Sequence, residues 1–162
     1  RVHCTELSTM RIALYQPDIP QNAATIIRTA ACLGLVVDII EPAGFLVSDR
    51  AFRRAGMDYL EQASVVTHAS FAAFERWRAG AGAPRLVLLS TRAATPYLDF
   101  AFRPDDILML GRESAGVPDE VHALADARLV IPMLEGRRSL NVAMATAMVV
   151  GEALRQTAGP GP

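Results

Sequence analysis

Leu35-Val-Val-Asp-Ile-Ile40 carries apolar residues at consecutive rather than alternate positions, and Leu86-Val-Leu-Leu89 repeats the pattern. A strand with one wet face alternates apolar and polar side chains, so an almost unbroken apolar run reads as a strand covered on both faces. Working outward, strand-like runs fall at 11–15, 35–40, 64–67, 85–90, 106–110 and 128–132. Helical patterns separate most of them, at 21–33, 49–55, 70–79, 118–124 and 139–157. This alternation predicts an α/β fold with a mainly parallel sheet flanked by helices.

The 162 residues suffice for about one domain with a sizeable core. That domain is expected over 10–158, behind a disordered or artificial leader at 1–9 and ahead of a frayed tail, Gly159-Pro-Gly-Pro162. The loose connector at 80–84, Gly-Ala-Gly-Ala-Pro, is too short to link domains. No apolar run approaches the roughly 20 residues that span a bilayer. No charged-then-apolar leader opens the chain, so the expected location is the cytoplasm.

All 16 basic residues are arginines. Without lysine the chain can form neither a Walker A loop nor a Schiff base with pyridoxal phosphate. His3, His68 and His122 are scattered without metal-ligand spacing, so no metal is expected. Cys4 and Cys32 suggest neither a disulfide nor a metal site. Ser114 is no nucleophile elbow, because Arg112 stands where that turn requires glycine. The net charge of −1 gives no general attraction for nucleic acid. Arginines do cluster at Arg50, Arg53 and Arg54 and at Arg137 and Arg138, where planar forks suit phosphate, although solvated surface charge explains them equally well.

Two helices carry more information than the others. In the first, Ala23, Ile26, Ile27, Ala30 and Leu33 share a face directed at the sheet, while Thr25, Arg28, Thr29 and Cys32 face away. Gly34 fits a left-handed stop. In the last, residues 142–150 are small or apolar on all sides, which predicts burial all round and hence a second copy of the chain.

Three separated stretches have the composition of one site: Asn22-Ala-Ala-Thr-Ile-Ile-Arg28, Leu110-Gly-Arg-Glu-Ser-Ala-Gly-Val-Pro118, and Ile131-Pro-Met133 followed by Ser139-Leu-Asn-Val-Ala143. The last two are strand-to-loop transitions where backbone amides lie open to a ligand. Taken singly, Gly111 and Gly116 are equally turn residues, Ser139 and Asn22 helix caps, and Glu113 a partner for Arg112 or Arg138. No Gly-x-Gly-x-x-Gly follows the first strand, which argues against a Rossmann-type nucleotide enzyme.

Together with Ile12-Ala-Leu-Tyr-Gln-Pro-Asp-Ile-Pro-Gln-Asn22, Ile39-Ile-Glu-Pro-Ala-Gly-Phe45 and Arg53-Arg-Ala-Gly-Met-Asp-Tyr59, these stretches resemble the SPOUT superfamily of methyltransferases over residues 10–158. Within it the chain is most similar to the minimal tRNA 2'-O-methyltransferases of the TrmH/TrmL type. The resemblance implies a C-terminal trefoil knot and S-adenosylmethionine held by Leu89, Gly111, Glu113, Gly116, Ile131, Met133, Ser139 and Leu140. It further implies catalytic roles for Arg28 and Asn22, substrate contacts from Arg50, Arg53, Arg54, Arg138 and Asn141, no metal, and an active site shared across a homodimer. The expected substrate is the wobble nucleotide, cytidine or 5-substituted uridine, of a leucine tRNA. An arginine with a pKa above about 12 is a poor base, so orienting a phosphate suits Arg28 at least as well as proton removal. A catalytically silent RNA-binding dimer, or action elsewhere on tRNA or rRNA, remains an alternative. Some relatives carry a tyrosine where this chain has Gly151.

Overall fold

The computed structural model describes residues 9–45, 54, 63–137 and 139–158. The strands are β1 (Arg11–Tyr15), β2 (Val36–Ile40), β3 (Ser64–His68), β4 (Leu86–Leu89), β5 (Thr95–Pro96), β6 (Ile107–Leu110) and β7 (Ala127–Val130). They form one sheet in the order β3-β2-β1-β6-β4-β7-β5, and every pairing is parallel. The helices are α1 (Pro20–Leu33), α2 (Phe71–Gly80), α3 (Asp119–Leu124) and α4 (Val142–Thr157), with a 3-10 turn at Tyr97–Asp99. The predicted helix at 49–55 falls outside the described residues except at Arg54, an exposed helical position. Arg50, Arg53 and Arg138, residues 1–8 and the expected tail also lie outside them.

The consecutive apolar positions have their predicted cause. Ile12, Leu14, Val37, Ile39, Val87 and Leu108 belong to one core cluster with the buried residues of α1 and α4. Ala13, Tyr15, Ile40, Leu86, Leu88, Ile107 and Met109 belong to the opposite cluster, which includes Phe74 of α2 and Val121 of α3. The one polar residue in β2, Asp38, is fully buried. It accepts hydrogen bonds from Arg11 Nε at 2.7 Å and Nη2 at 2.8 Å, and lies 2.8 Å from His68 Nε2. Burying a carboxylate requires such partners, and β1 and β3 supply them from either side.

Local chemistry ends the helices as expected in one case and differently in others. Gly34 takes the left-handed conformation, φ 71°, and its N–H bonds Ala30 O to close α1. Neither Asn22 nor Ser139 is a cap, however. Pro20 opens α1 behind Ile19, which places Asn22 inside the first turn, and the side chain that caps α4 is Asn141, accepting from the N–H groups of Ala143 and Met144. The helix predicted from 139 therefore starts at Val142. One further expectation is corrected. Leu33 is 42 % exposed rather than directed at the sheet. In the single chain α4 is not buried all round, because Thr146, Val149, Val150 and Ala153 face the core while Met144, Ala147, Met148 and Gly151 are exposed.

Candidate functional site

All seven strands run the same way, so their carboxyl ends lie along one edge of the sheet. A crevice forms on such an edge where consecutive connections leave in opposite directions. Here β1 leads outward through β2 to β3, whereas β4, β5 and β7 lie on the far side of β6. The loops leaving β1, β4, β6 and β7 enclose a cavity of about 620 Å³, within the range of small-ligand sites. Leu89, Gly111, Glu113, Gly116, Ile131, Met133, Ser139 and Leu140 all line it, as do Asn22 and Asn141. Arg28 does not; it is exposed on the outward side of α1.

The loop after β6 is a tight hairpin. Arg112 N–H bonds Gly116 O at 3.0 Å and Gly116 N–H bonds Arg112 O at 2.8 Å. Gly116 turns the chain at φ +62°, and Gly111 is pressed so closely against Gly116 that a Cβ there would lie 2.7 Å from the Gly116 carbonyl carbon. The first glycine serves close approach and the second the turn.

Asn22 and Asn141 join the first and last motifs. Asn141 Oδ1 is occupied by the two N–H groups it caps, and its Nδ2 donates to Asn22 Oδ1 at 3.0 Å. With its oxygen engaged, Asn22 keeps Nδ2 as its remaining donor at the cavity wall.

Glu113 is not paired with Arg112, whose guanidinium lies 5.7 Å from the ring centroid of Tyr15. Its partner is Asp18, in the loop after β1. Asp18 N–H donates to Glu113 Oε2 at 3.2 Å, and the Ser114 hydroxyl donates to Asp18 Oδ2. Burial, followed by the bond with Asp18, pushes the Glu113 carboxyl above its ordinary pKa. The bond from Glu113 holds Asp18 below its own ordinary value, with Ser114 adding to this against the effect of burial. The two carboxyl groups thus shift in opposite directions where the loops after β1 and β6 meet. Sequence reasoning assigned no role to Asp18; its position between Pro17 and Pro20 beside the Asn22 motif was the available signal.

The electrostatics are mild. Arg92 and Arg112 stand at the cavity, while Leu89, Leu110, Leu129, Ile131 and Leu140 give it apolar walls. Such a site suits a flat, largely uncharged ring held by backbone groups rather than a polyphosphate. No group of three or more metal-ligating side chains occurs among the described residues, and no described helix is long and apolar enough to cross a membrane.

Known proteins agree with this geometry. A tRNA (cytidine(34)-2'-O)-methyltransferase of Beijerinckia indica is 67% identical over 145 residues, 90% of each chain. The Escherichia coli K12 protein of the same name is 38% identical over 154 residues, 94% of this chain and 96% of that one. A structure described as giving insights into the 2-OH methylation of C/U34 on tRNA superposes with a TM-score of 0.87 at 41% identity, covering 93% of this chain and 97% of the other. The SpoU methyltransferase AviRb of Streptomyces viridochromogenes, in complex with the cofactor AdoMet, gives 0.83 at 28% identity, over 94% of this chain and 62% of that one. The SpoU rRNA Methylase family model matches residues 9–151, and the chain belongs to that family.

Proposed function

We propose that the protein transfers a methyl group from S-adenosylmethionine to the ribose 2'-hydroxyl of the wobble nucleotide, position 34, of tRNA, and that it does so as a homodimer in the cytoplasm. The observation that carries this reading is the meeting of three sequence-distant motifs around one cavity of about 620 Å³. The named activity of its relatives supports the substrate.

S-adenosylmethionine, when bound, supplies an electrophilic methyl carbon on a sulfonium. The residues present fit it: Leu89, Ile131, Met133 and Leu140 offer apolar surface, Ser139 a hydroxyl, and the hairpin at Gly111 and Gly116 a backbone approached without side chains. The ribose 2'-oxygen would take that methyl group in exchange for its hydroxyl proton, which would pass to solvent water. Catalysis of this displacement rests mainly on positioning. Asn22, fixed by Asn141, presents an N–H donor there. Arg28 orients a phosphate of the target nucleotide, and Arg54 and Asn141, with Arg50, Arg53 and Arg138, contact RNA.

Arg28 faces away from its own cavity, and Ile19, Leu33, Leu140, Met144 and Met148 form exposed apolar positions around α1 and α4. In a dimer built on these helices, Arg28 serves the partner's cavity. The strand order, with β7 beyond β4 and α4 packed back on α1, supports the knotted C-terminal path of the superfamily.

Mass spectrometry of nucleosides from leucine tRNA treated with protein and S-adenosylmethionine tests the reaction directly. The expected product is a 2'-O-methylated nucleotide at the wobble position; methylation elsewhere, or none, overturns the assignment. Mixing inactive Arg28→Ala subunits with inactive Asn141→Ala subunits tests sharing. Mixed dimers hold one intact site and regain activity, whereas sites complete within one subunit gain nothing.

A further inference from the structure

A second cavity, about 390 Å³, lies at the outer edge of the sheet between the loop after β4 and the junction of α3 with β7. Arg92, Phe100, His122 and Arg128 line it, and Arg92 also lines the main cavity, so this residue borders both openings. We propose that this second cavity receives a backbone phosphate of the RNA adjacent to the nucleotide being methylated. The proposal rests on the RNA-methyltransfer reading and adds an RNA-binding point that the three motifs do not contain.

The side chains are arranged for an oxyanion. Arg128 is clamped by the carbonyls at the end of α3, donating Nε to His122 O and Nη2 to Ala123 O at 2.8 Å and Ala125 O at 3.0 Å. These bonds fix the guanidinium plane and leave Nη1 without a partner among the described residues. A fixed fork with one unused edge suits phosphate better than a mobile ammonium. Arg92 donates Nη1 to Asp119 at 2.8 Å, but that carboxylate is 93% exposed, and an exposed pair is readily exchanged for another anion.

His122 supplies an independent indication. Its Nε2 is buried and has no hydrogen-bond partner among the described residues, and a buried polar atom of that kind calls for one. Burial, then the neighbouring charges of Arg92 and Arg128, holds its pKa below the ordinary histidine value. At pH 8 the ring is therefore neutral and offers a hydrogen bond rather than a charge. Asp119 is the one acidic group acting on it, and in the opposite sense.

The test measures affinity for leucine tRNA at pH 8 over a range of salt concentrations, for wild type, Arg92→Gln and His122→Leu, with S-adenosylmethionine affinity measured in parallel. Arg92 is 53% exposed, so its variant retains the fold. Each variant is expected to weaken tRNA binding about fivefold to tenfold, and His122→Leu, at a residue that does not line the main cavity, to leave cofactor affinity within about twofold. Only Arg92→Gln should also flatten the dependence of log affinity on log salt, by about 0.7 to 0.9 when one phosphate is no longer neutralised. If wild type methylates tRNA while both variants keep its affinity and salt slope, the cavity assignment is overturned alone. For His122→Leu, cofactor affinity that falls in step with tRNA affinity overturns it too, by placing this group in the cofactor site. A wild type that neither binds nor methylates tRNA removes the functional reading and this inference together.

Discussion

Gly111→Ala isolates the hairpin after β6 as a wall of the cofactor cavity. An added Cβ would lie 2.7 Å from the Gly116 carbonyl carbon, 2.8 Å from its Cα and 3.2 Å from its oxygen. Ordinary contact begins near 3.4 Å, so the two sides must part by roughly 0.7 Å, and backbone cannot rotate away as a long side chain could. Parting stretches the two hydrogen bonds between Arg112 and Gly116. At about 0.5–1.5 kcal/mol each, the cost is about 1–3 kcal/mol. Expressed in S-adenosylmethionine binding, that is roughly a 5- to 150-fold loss of affinity. Titration calorimetry on folded protein reads it, with a thermal melt alongside, where a drop of about 2–4 °C per kcal/mol marks whatever part of the cost reaches global stability. Gly116→Ala serves as the comparison: nothing lies within 4 Å of its added Cβ, and its penalty comes only from φ +62°, about 1–2 kcal/mol. Affinity within twofold of wild type for Gly111→Ala would show that the hairpin does not form the binding wall.

Asp38→Ala strands Arg11 and His68 and should cost about 3 kcal/mol, lowering the melting temperature by about 6–12 °C without changing cofactor affinity; a stability equal to wild type would contradict the buried network. Glu113, with its raised pKa, supports the contact between the loops after β1 and β6 fully below the ordinary carboxylate range and loses that support as pH rises through its shifted value. Asp18, with its lowered pKa, contributes above its ordinary value and loses its part only as pH falls through the lowered one. Cofactor affinity should therefore decline as pH rises across the Glu113 titration, and Glu113→Gln should flatten that decline; an unchanged profile refutes the link between Glu113 and the cavity wall. Met148→Glu, at a position 40% exposed in the single chain, should yield a folded, inactive monomer by sedimentation, and an active dimer would remove α4 from the interface. Val149 is the wrong probe for that question, because at 1% exposure it belongs to the core and Val149→Asp should unfold the chain by burying an unpaired charge.

The strands were legible because apolar runs such as Leu86-Val-Leu-Leu89 encode cover on both faces. β5 was not, since two residues ending in proline carry no strand signal and survive only as an edge. Asp38 looked like a flaw in its run, and its partners Arg11 and His68 are 27 and 30 residues distant, brought beside it only by register. The cavity residues were found as a set because close-approach glycines and strand-end loops have a recognisable composition. The commonplace explanation fell away in three dimensions for Asn22 and Ser139, which cap nothing, and held for Gly116, which makes the turn. Asp18 and His122 were missed because their significance comes from a contact between loops and from a buried polar atom, which arise from packing. The exposed stripe on α4 was not legible in the sequence, because composition reports what a helix can bury, not which part its own chain covers.

The placement of β6 bears on how the molecule is made. The central strand of the sheet is the sixth to be synthesised, and its first residue, Ile107, lies in register with Arg11, 96 positions upstream. Until that strand has left the ribosome, β1, β2 and β3 form a partial sheet with an unprotected edge, while β4 and β5 have no partner strand, since β7 follows later still. Parallel pairing across so long a loop is slow, so nascent chains ending before β6 should be exposed to proteases and chaperones. The cavity can close only once β6, β7 and the start of α4 have all been made, since residues from each of them line it.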